Sequence, residues 1–265
     1  MKNVGIIGNG FVGNAIYENL KNRVNTKSFD ISPDKCIDTY DEVISSDIIF
    51  VCLPTPMTVE GRCNTSYVFD FFDNVPKGTN GLFVIKSTIP IGTTEKIIQK
   101  RSDLRIVHNP EFLTADNAKS DFLYCERNVI GGQKDYCEEL ESFLYDTFNE
   151  WKNVPCFLVS SNESETIKYY ANCYLAVKIA YFNNLYQTCQ KFNSDYDTVR
   201  DAICEDHRIG AHHTKVPGPD GKFGFGGYCF PKDINALIYN LMEHDLDTQI
   251  LKASWEYNRT LRDDV

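Results

Sequence analysis

The chain changes its hydrophobic period along its length. Over residues 3–8 a short apolar run, VGIIG, follows a polar residue and breaks into glycines, and FVGNAIYENLKN then carries its apolar positions at helical spacing. Strand, turn and helix are predicted in that order. A second run ends at Asp30, and DIIFVCLP (47–54), GLFVIKS (81–87), LRIVHNP (104–110) and RNVIGG (127–132) are further candidates for buried strands. These runs alternate with helical or loop segments, which predicts an α/β fold with a mostly parallel sheet and helices on both faces. From about Asn162 the texture changes. NESETIKYYANCYLAVKIAYFNNLYQTCQKF repeats small and large apolar residues at three and four with no Gly or Pro, and predicts one helix of roughly 30 residues that Ser161 or Asn162 can cap. DTVRDAICEDH, KDINALIYNLMEH and ILKASWEYNR also read as helical. The predicted division is an α/β domain over 1–160 and a smaller all-α domain over 161–265, with the long helix as its spine.

Composition changes this picture little. At 265 residues, 42% hydrophobic and 24% charged, the chain has room for two ordinary cores and no tract that reads as a disordered linker. A net charge of −10, without a basic stripe, argues against a nucleic-acid partner. The opening MKNVGIIGNG is too short and too Gly-broken for a signal peptide, and no apolar run is long enough to span a bilayer, so a cytoplasmic protein without a membrane partner is expected. Ten cysteines are scattered through apolar segments without Cys-x-x-Cys pairs or zinc spacing, so reduced core residues and no metal are expected.

Gly8-Asn9-Gly10-Phe11-Val12-Gly13 fits G-x-G-x-x-G between a strand and a helix, the context of a Rossmann dinucleotide site. Gly8 allows the tight turn, Gly10 lets the backbone approach a pyrophosphate, Gly13 lets helix pack on strand, and the helix N-terminus supplies amide donors. Asp30 closes the second strand at about the 20-residue distance expected of an acid that bonds a ribose 2′-hydroxyl. A carboxylate there repels a 2′-phosphate, which favours NAD over NADP. The competing reading is a plain tight turn followed by a solvated strand end.

Two further groups carry chemistry. Cys229 lies in Gly224-Phe-Gly-Gly-Tyr-Cys-Phe-Pro-Lys-Asp233, just before a predicted helix start at which Pro231 suits the first turn. A thiolate is stabilised there, with Lys232 nearby, so Cys229 is a candidate nucleophile; a buried structural cysteine is the alternative. Lys168 and Asn172 stand at i and i+4 of the long helix and can converge on one substrate group. A desolvated Lys168 would serve as general base and the Asn172 amide would hold an oxyanion, unless Lys168 is a solvated face residue.

Five stretches in order, VGIIGNGFVG, FVCLPTP with IKSTIPIGTT, NPEF, ETIKYYAN, and RIG with GFGGYCFPKD, give a resemblance to the UDP-glucose/GDP-mannose dehydrogenases, the sugar-nucleotide 6-dehydrogenases. The resemblance spans Val4 to Asp233. It implies NAD-dependent oxidation of a primary alcohol at sugar C6 to a carboxylate in two hydride transfers, through a thiohemiacetal and a thioester on Cys229. It implies Lys168 as base and oxyanion stabiliser assisted by Asn172, and Asp233, Glu111 and Thr88 as the water-handling group. Pro54, Thr55, Ser87, Thr88 and Lys232 would lie around NAD. Glu111, Phe112, Leu113, Lys168, Asn172, Arg208, Phe225 and Gly226 would line the sugar side. A homodimer through the helix near 162–193 is expected.

The chain also departs from the pattern. Where the family reads NPEFLxEG, this chain has Ala115 and then Asp116, so one acid is replaced and another stands one place later. The loop AHHTKVPGPDGKF is longer than usual, and the chain stops at Val265, before the family's second Rossmann-like domain that holds the nucleotide half of the substrate. Two other functions therefore stay in view. One is a two-electron β-hydroxyacid dehydrogenase with a K-x-x-x-N pair, in which Cys229 is dispensable. The other is a catalytically weak NAD-binding partner subunit.

Overall fold

The computed structural model describes residues 2–114 and 117–265, and the expectations at Ala115 and Asp116 lie outside them. Among the described residues seven strands form one sheet. They are β1 (Val4–Ile7), β2 (Thr26–Phe29), β3 (Ile48–Val51), β4 (Leu82–Ile85), β5 (Arg105–His108), β6 (Asn128–Gly132) and β7 (Cys156–Val159), in the order β2-β1-β3-β4-β5-β6-β7. All neighbours pair in parallel except β5 and β6. The mostly parallel sheet expected from the six apolar runs is present, and β7 joins it at one edge. Its four residues leave Phe157 and Leu158 exposed, so they carry no buried-strand signature.

Side-chain alternation divides the core into two layers. Val4, Ile6, Ile48, Phe50, Leu82 and Val84 point to one face, where they meet Ile16 and Leu20 of α1 (Phe11–Leu20), Phe122 of α5 (Ala118–Leu123) and Leu140 and Leu144 of α6 (Lys134–Thr147). Ile7, Ile49, Val51, Phe83 and Ile85 point to the other. There they meet α2 (Tyr40–Ile44), α3 (Ser66–Asn74) and α4 (Thr93–Lys100) through Val43, Phe72 and Ile97. Burial of each such side chain contributes about 1.5–3 kcal/mol, which lets strands of four residues hold when both faces are covered.

The long helix is α7, Ser161–Lys191, 31 residues. Its start differs from the expected cap in one respect. Ser160 and Glu163 form a reciprocal box: the Glu163 amide donates to Ser160 Oγ at 3.3 Å and the Ser160 amide donates to Glu163 Oε2 at 2.7 Å, so the cap precedes Ser161.

Two compact units result, Met1–Pro56 with Asn64–Lys168, and Met57–Cys63 with Tyr169–Val265. The division thus falls inside α7 rather than at residue 160, and a short segment after β3 joins the second unit. That segment closes on itself through a bridge between Met57 and Cys63, and its Arg62 pairs with Glu243 and lies over the Tyr239 ring. The second unit is otherwise helical, with α8 (Tyr196–Cys204), α9 (Phe230–Met242) and α10 (Gln249–Leu261) following α7. Among the described residues no helix is long and apolar enough to cross a membrane.

Candidate active site

The glycine loop at the carboxyl end of β1 is built for close approach. Gly8 has φ +88, and a Cβ on Gly13 would stand 1.9 Å from the Gly8 carbonyl oxygen, so both positions are closed to any side chain. Gly10 is different: a Cβ there would meet nothing within 4 Å. No packing within the protein demands that glycine, which suits a backbone kept bare for a ligand. The Asn9 amide donates to Asp30 Oδ2 at 2.7 Å and the Ser32 amide to Asp30 Oδ1 at 2.8 Å, which fixes the acid beside the loop. Among the described residues Asn9 Oδ1 is buried with no hydrogen-bond partner, and α1 follows Gly10 at its N-cap, which offers no side-chain cap. A bare loop, a helix N-terminus without a capping side chain and an orphaned acceptor fit a dinucleotide, with Gly8–Gly13 against its pyrophosphate and Asp30 against a ribose. Phe11 and Val12 enter through their first-turn amides.

The ends of β3 and β4 lie next to this loop in the same unit and are laced together. Thr55 Oγ1 donates to the Thr88 carbonyl at 2.9 Å, and Ser87 Oγ to the Leu53 carbonyl at 2.7 Å; Pro54 stands exposed between them. After β5 the chain turns at Asn109-Pro110-Glu111. Lys168 Nζ donates to the Glu111 carbonyl at 2.6 Å and to its Oε1 at 3.2 Å, while the Leu113 amide donates to Oε2 at 2.5 Å. The Phe112 ring takes the Lys168 ammonium at 5.3 Å and the Arg127 guanidinium at 4.0 Å. Lys168 is buried, so the solvated-face alternative is excluded.

Glu165, one turn before Lys168, was not singled out in the sequence. It is buried and accepts the Gly92 amide at 2.6 Å, the Thr94 amide at 2.8 Å and Thr94 Oγ1 at 2.6 Å, so a side chain of α7 caps the start of α4. Burial pushes its carboxyl up to about 7 against those bonds. An acid raised above its unfolded value binds more protons when folded, so its contribution is full below about 4.5 and is lost as pH rises through about 7. Relative to Glu165→Gln, the unsubstituted chain should lose up to about 3 kcal/mol over that window. Denaturant titrations of both chains at about pH 5 and pH 7.5 check this; an unchanging difference between them would refute it.

The second unit gathers the remaining groups at the start of α9. Cys229 caps that helix, is exposed and reduced, and its carbonyl accepts the Asp233 amide at 2.8 Å; Pro231 stands in the first turn. Asp233 is buried between two donors, the Asn172 amide at 2.6 Å from Oδ2 and the Lys232 ammonium at Oδ1. Burial pulls Lys232 down, but Asp233, with the nearby Cys63 and Cys229, holds it above its ordinary value. A cationic ammonium beside a helix N-terminus is the setting that stabilises a thiolate.

The Gly-rich approach to Cys229 is held by residues absent from the sequence-derived set. The Gly224 amide donates to Asn183 Oδ1 at 2.9 Å. The Phe225 amide donates to Asn258 Oδ1 at 2.7 Å, and Asn258 Nδ2 returns a bond to the Phe225 carbonyl at 2.9 Å. The Arg262 guanidinium lies against Gly226, where a Cβ would meet it at 2.4 Å. Arg208 is not gathered with Phe225 and Gly226: it stands on the surface, paired with Asp206 at 2.5 Å.

Residues 15–149 match the NAD binding domain of the UDP-glucose/GDP-mannose dehydrogenase family, and residues 162–260 match its central domain. The Gly8–Gly13 loop lies just ahead of the first match, so its assignment stands on the geometry above. UDP-glucose 6-dehydrogenase of Rickettsia conorii is 36% identical over 225 residues, 83% of this chain and 50% of that protein. UDP-glucose 6-dehydrogenase TuaD of Bacillus subtilis is 34% identical over 227 residues, 82% and 47%. The structure of a UDP-glucose dehydrogenase from Pyrobaculum islandicum superposes with a TM-score of 0.84 at 27% identity, covering 98% of this chain and 68% of that one. The chain spans about half the length of the curated relatives it matches.

Proposed function

This chain belongs to the UDP-glucose/GDP-mannose dehydrogenase family, and from that premise we propose that it oxidises the C6 primary alcohol of a sugar nucleotide such as UDP-glucose to a carboxylate. The observation that carries the reading is Cys229 at the start of α9, with a buried Lys232–Asp233 pair beside it and Asn172 closing the set. NAD, when bound, accepts a hydride in each of two half-reactions. Lys168, entering as the free amine, takes the hydroxyl proton in the first and, as the ammonium so formed, holds the substrate oxygen together with the Asn172 amide. The Cys229 thiol then adds across the aldehyde, its sulfur to the carbon and its proton to the carbonyl oxygen, to give a thiohemiacetal. Loss of the second hydride and the hydroxyl proton leaves a thioester on Cys229. Water positioned by Asp233, Glu111 and Thr88 adds to the thioester carbon, the C–S bond breaks, and the thiol is restored with the acid as product. Leu113, Phe112, Phe225 and Gly226 are assigned to the sugar. A second copy is assigned to the face of α7 that bears exposed Tyr170, Tyr174 and Tyr181, and the mass in solution by light scattering checks that pairing.

The test is stoichiometric. UDP-glucose and related sugar nucleotides are supplied with NAD, and NADH is counted against product. About two NADH per acid are expected from the four-electron balance. About one NADH with a ketone or aldehyde product would point to a β-hydroxyacid dehydrogenase. NAD binding without any turnover would point to a partner subunit.

A further inference from the structure

Lys86 follows β4 in the run GLFVIKS, immediately before Ser87 and Thr88, and the reaction above gives it no task. It is buried, and among the described residues its ammonium has Asn109 Oδ1 as hydrogen-bond partner, at 2.8 Å. Asn109 passes the bond on. Its Nδ2 donates to Asn128 Oδ1 at 2.8 Å and to the Val129 carbonyl at 2.6 Å, so the start of β6 and the ends of β4 and β5 are tied by one polar thread. Asn109 opens the turn that carries Glu111. An isolated buried ammonium costs several kcal/mol, and a core position of this shape would be filled more stably by an apolar side chain.

We propose that Lys86 is a positioning residue for Glu111: from beneath the Asn109–Glu111 turn it fixes that turn through Asn109, and it places a second ammonium, besides Lys168, in the field of the Glu111 carboxylate. The proposal rests on the role given to Glu111 in the proposed reaction. The groups facing Lys86 are Cys52 from the end of β3, His108 of β5, Glu111 from the turn itself, Cys125 ahead of β6 and Lys168 of α7. Burial pushes Cys52 up to about 12 and Cys125 up to about 11, and brings His108 down to about 3, so these three stay neutral near neutral pH. Burial brings Lys86 itself down to about 8, which places the loss of its charge near working pH.

The experiment compares the unsubstituted chain with Lys86→Met, which keeps the volume, and Lys86→Gln, which keeps a donor for Asn109. The Leu113 amide, bonded to Glu111 Oε2, reports the carboxylate by its 1H–15N resonance. That resonance should move as pH passes about 8 in the unsubstituted chain and stay still in both variants. Turnover of Lys86→Met should fall about tenfold to a hundredfold, as expected for a displaced reactive group, with NAD affinity by calorimetry within about twofold. Superposition of the Leu113 resonance of Lys86→Met on that of the unsubstituted chain at every pH would overturn the proposal. Should Lys86→Met not fold, Lys86→Gln decides by the same resonance. If the unsubstituted chain turns over no sugar nucleotide, the proposed reaction fails, and the Leu113 resonance still decides the place of Lys86.

Discussion

Alanine in place of Cys229 is expected to lower acid formation from a sugar nucleotide by about 10³-fold or more, the order of loss seen when a covalent nucleophile is removed. NAD affinity should change little, because the substitution leaves the Gly8–Gly13 loop and Asp30, the groups assigned to the pyrophosphate and ribose, as they are. Serine is the sharper variant. Its hydroxyl keeps the size and the position at the helix start, but an alcohol is less acidic and less polarisable than a thiol, so oxidation should stall at the aldehyde level. Rapid-quench analysis of one turnover with isotopically labelled substrate would read about one NADH and no thioester. Full acid formation by Cys229→Ala would remove the covalent route; one NADH and a carbonyl product at the unsubstituted rate would leave a two-electron oxidation in its place.

The second large effect is on stability. Asp233→Ala leaves the Lys232 ammonium, with a side chain 8% exposed, without its counter-ion, and takes the acceptor from Asn172. Breaking a buried pair from one side costs about 3–5 kcal/mol, because the remaining charge is stranded. The double variant Asp233→Ala with Lys232→Met should recover most of that loss, since it removes both charges and restores an apolar fill. Denaturant midpoints of the unsubstituted, Asp233→Ala and double-variant chains check that recovery. A cost under about 1 kcal/mol for Asp233→Ala would show that Lys232 finds another partner, and the preorganised charge beside Cys229 would lose its basis.

Much of this architecture is legible in the residues because burial imposes strong patterns. Strands covered on both faces must be apolar throughout, so Val4–Ile7, Ile48–Val51 and Leu82–Ile85 stand out, and the turn between β1 and α1 must be glycine at Gly8 and Gly13 for steric reasons. β7 escapes because an edge strand with two exposed apolar residues has no period to read. The unit division escapes because a helix that runs through it shows no change of composition at Lys168. Among the candidate site residues, those with a local sequence context stand out in the sequence, such as Cys229 before Pro231. Asn258, Arg262 and Glu165 do not, since each acts on backbone or side-chain atoms far away in sequence. Lys86 was hidden for another reason: at the end of an apolar run a lysine reads as the place where a strand meets water, and nothing local tells that it stays buried.

The tie between Phe225 and Asn258 also sets an order of events during synthesis. The two residues are 33 positions apart, and at ordinary translation rates the ribosome needs about two to seven seconds to make that interval. Until α10 has left the exit tunnel, the Phe225 amide and carbonyl have no Asn258 to meet, and the stretch leading to Cys229 cannot set. A nascent chain would therefore complete its sheet before its thiol site. Ribosome-stalled chains should show that sequence as late protection of residues 224–229 from proteolysis.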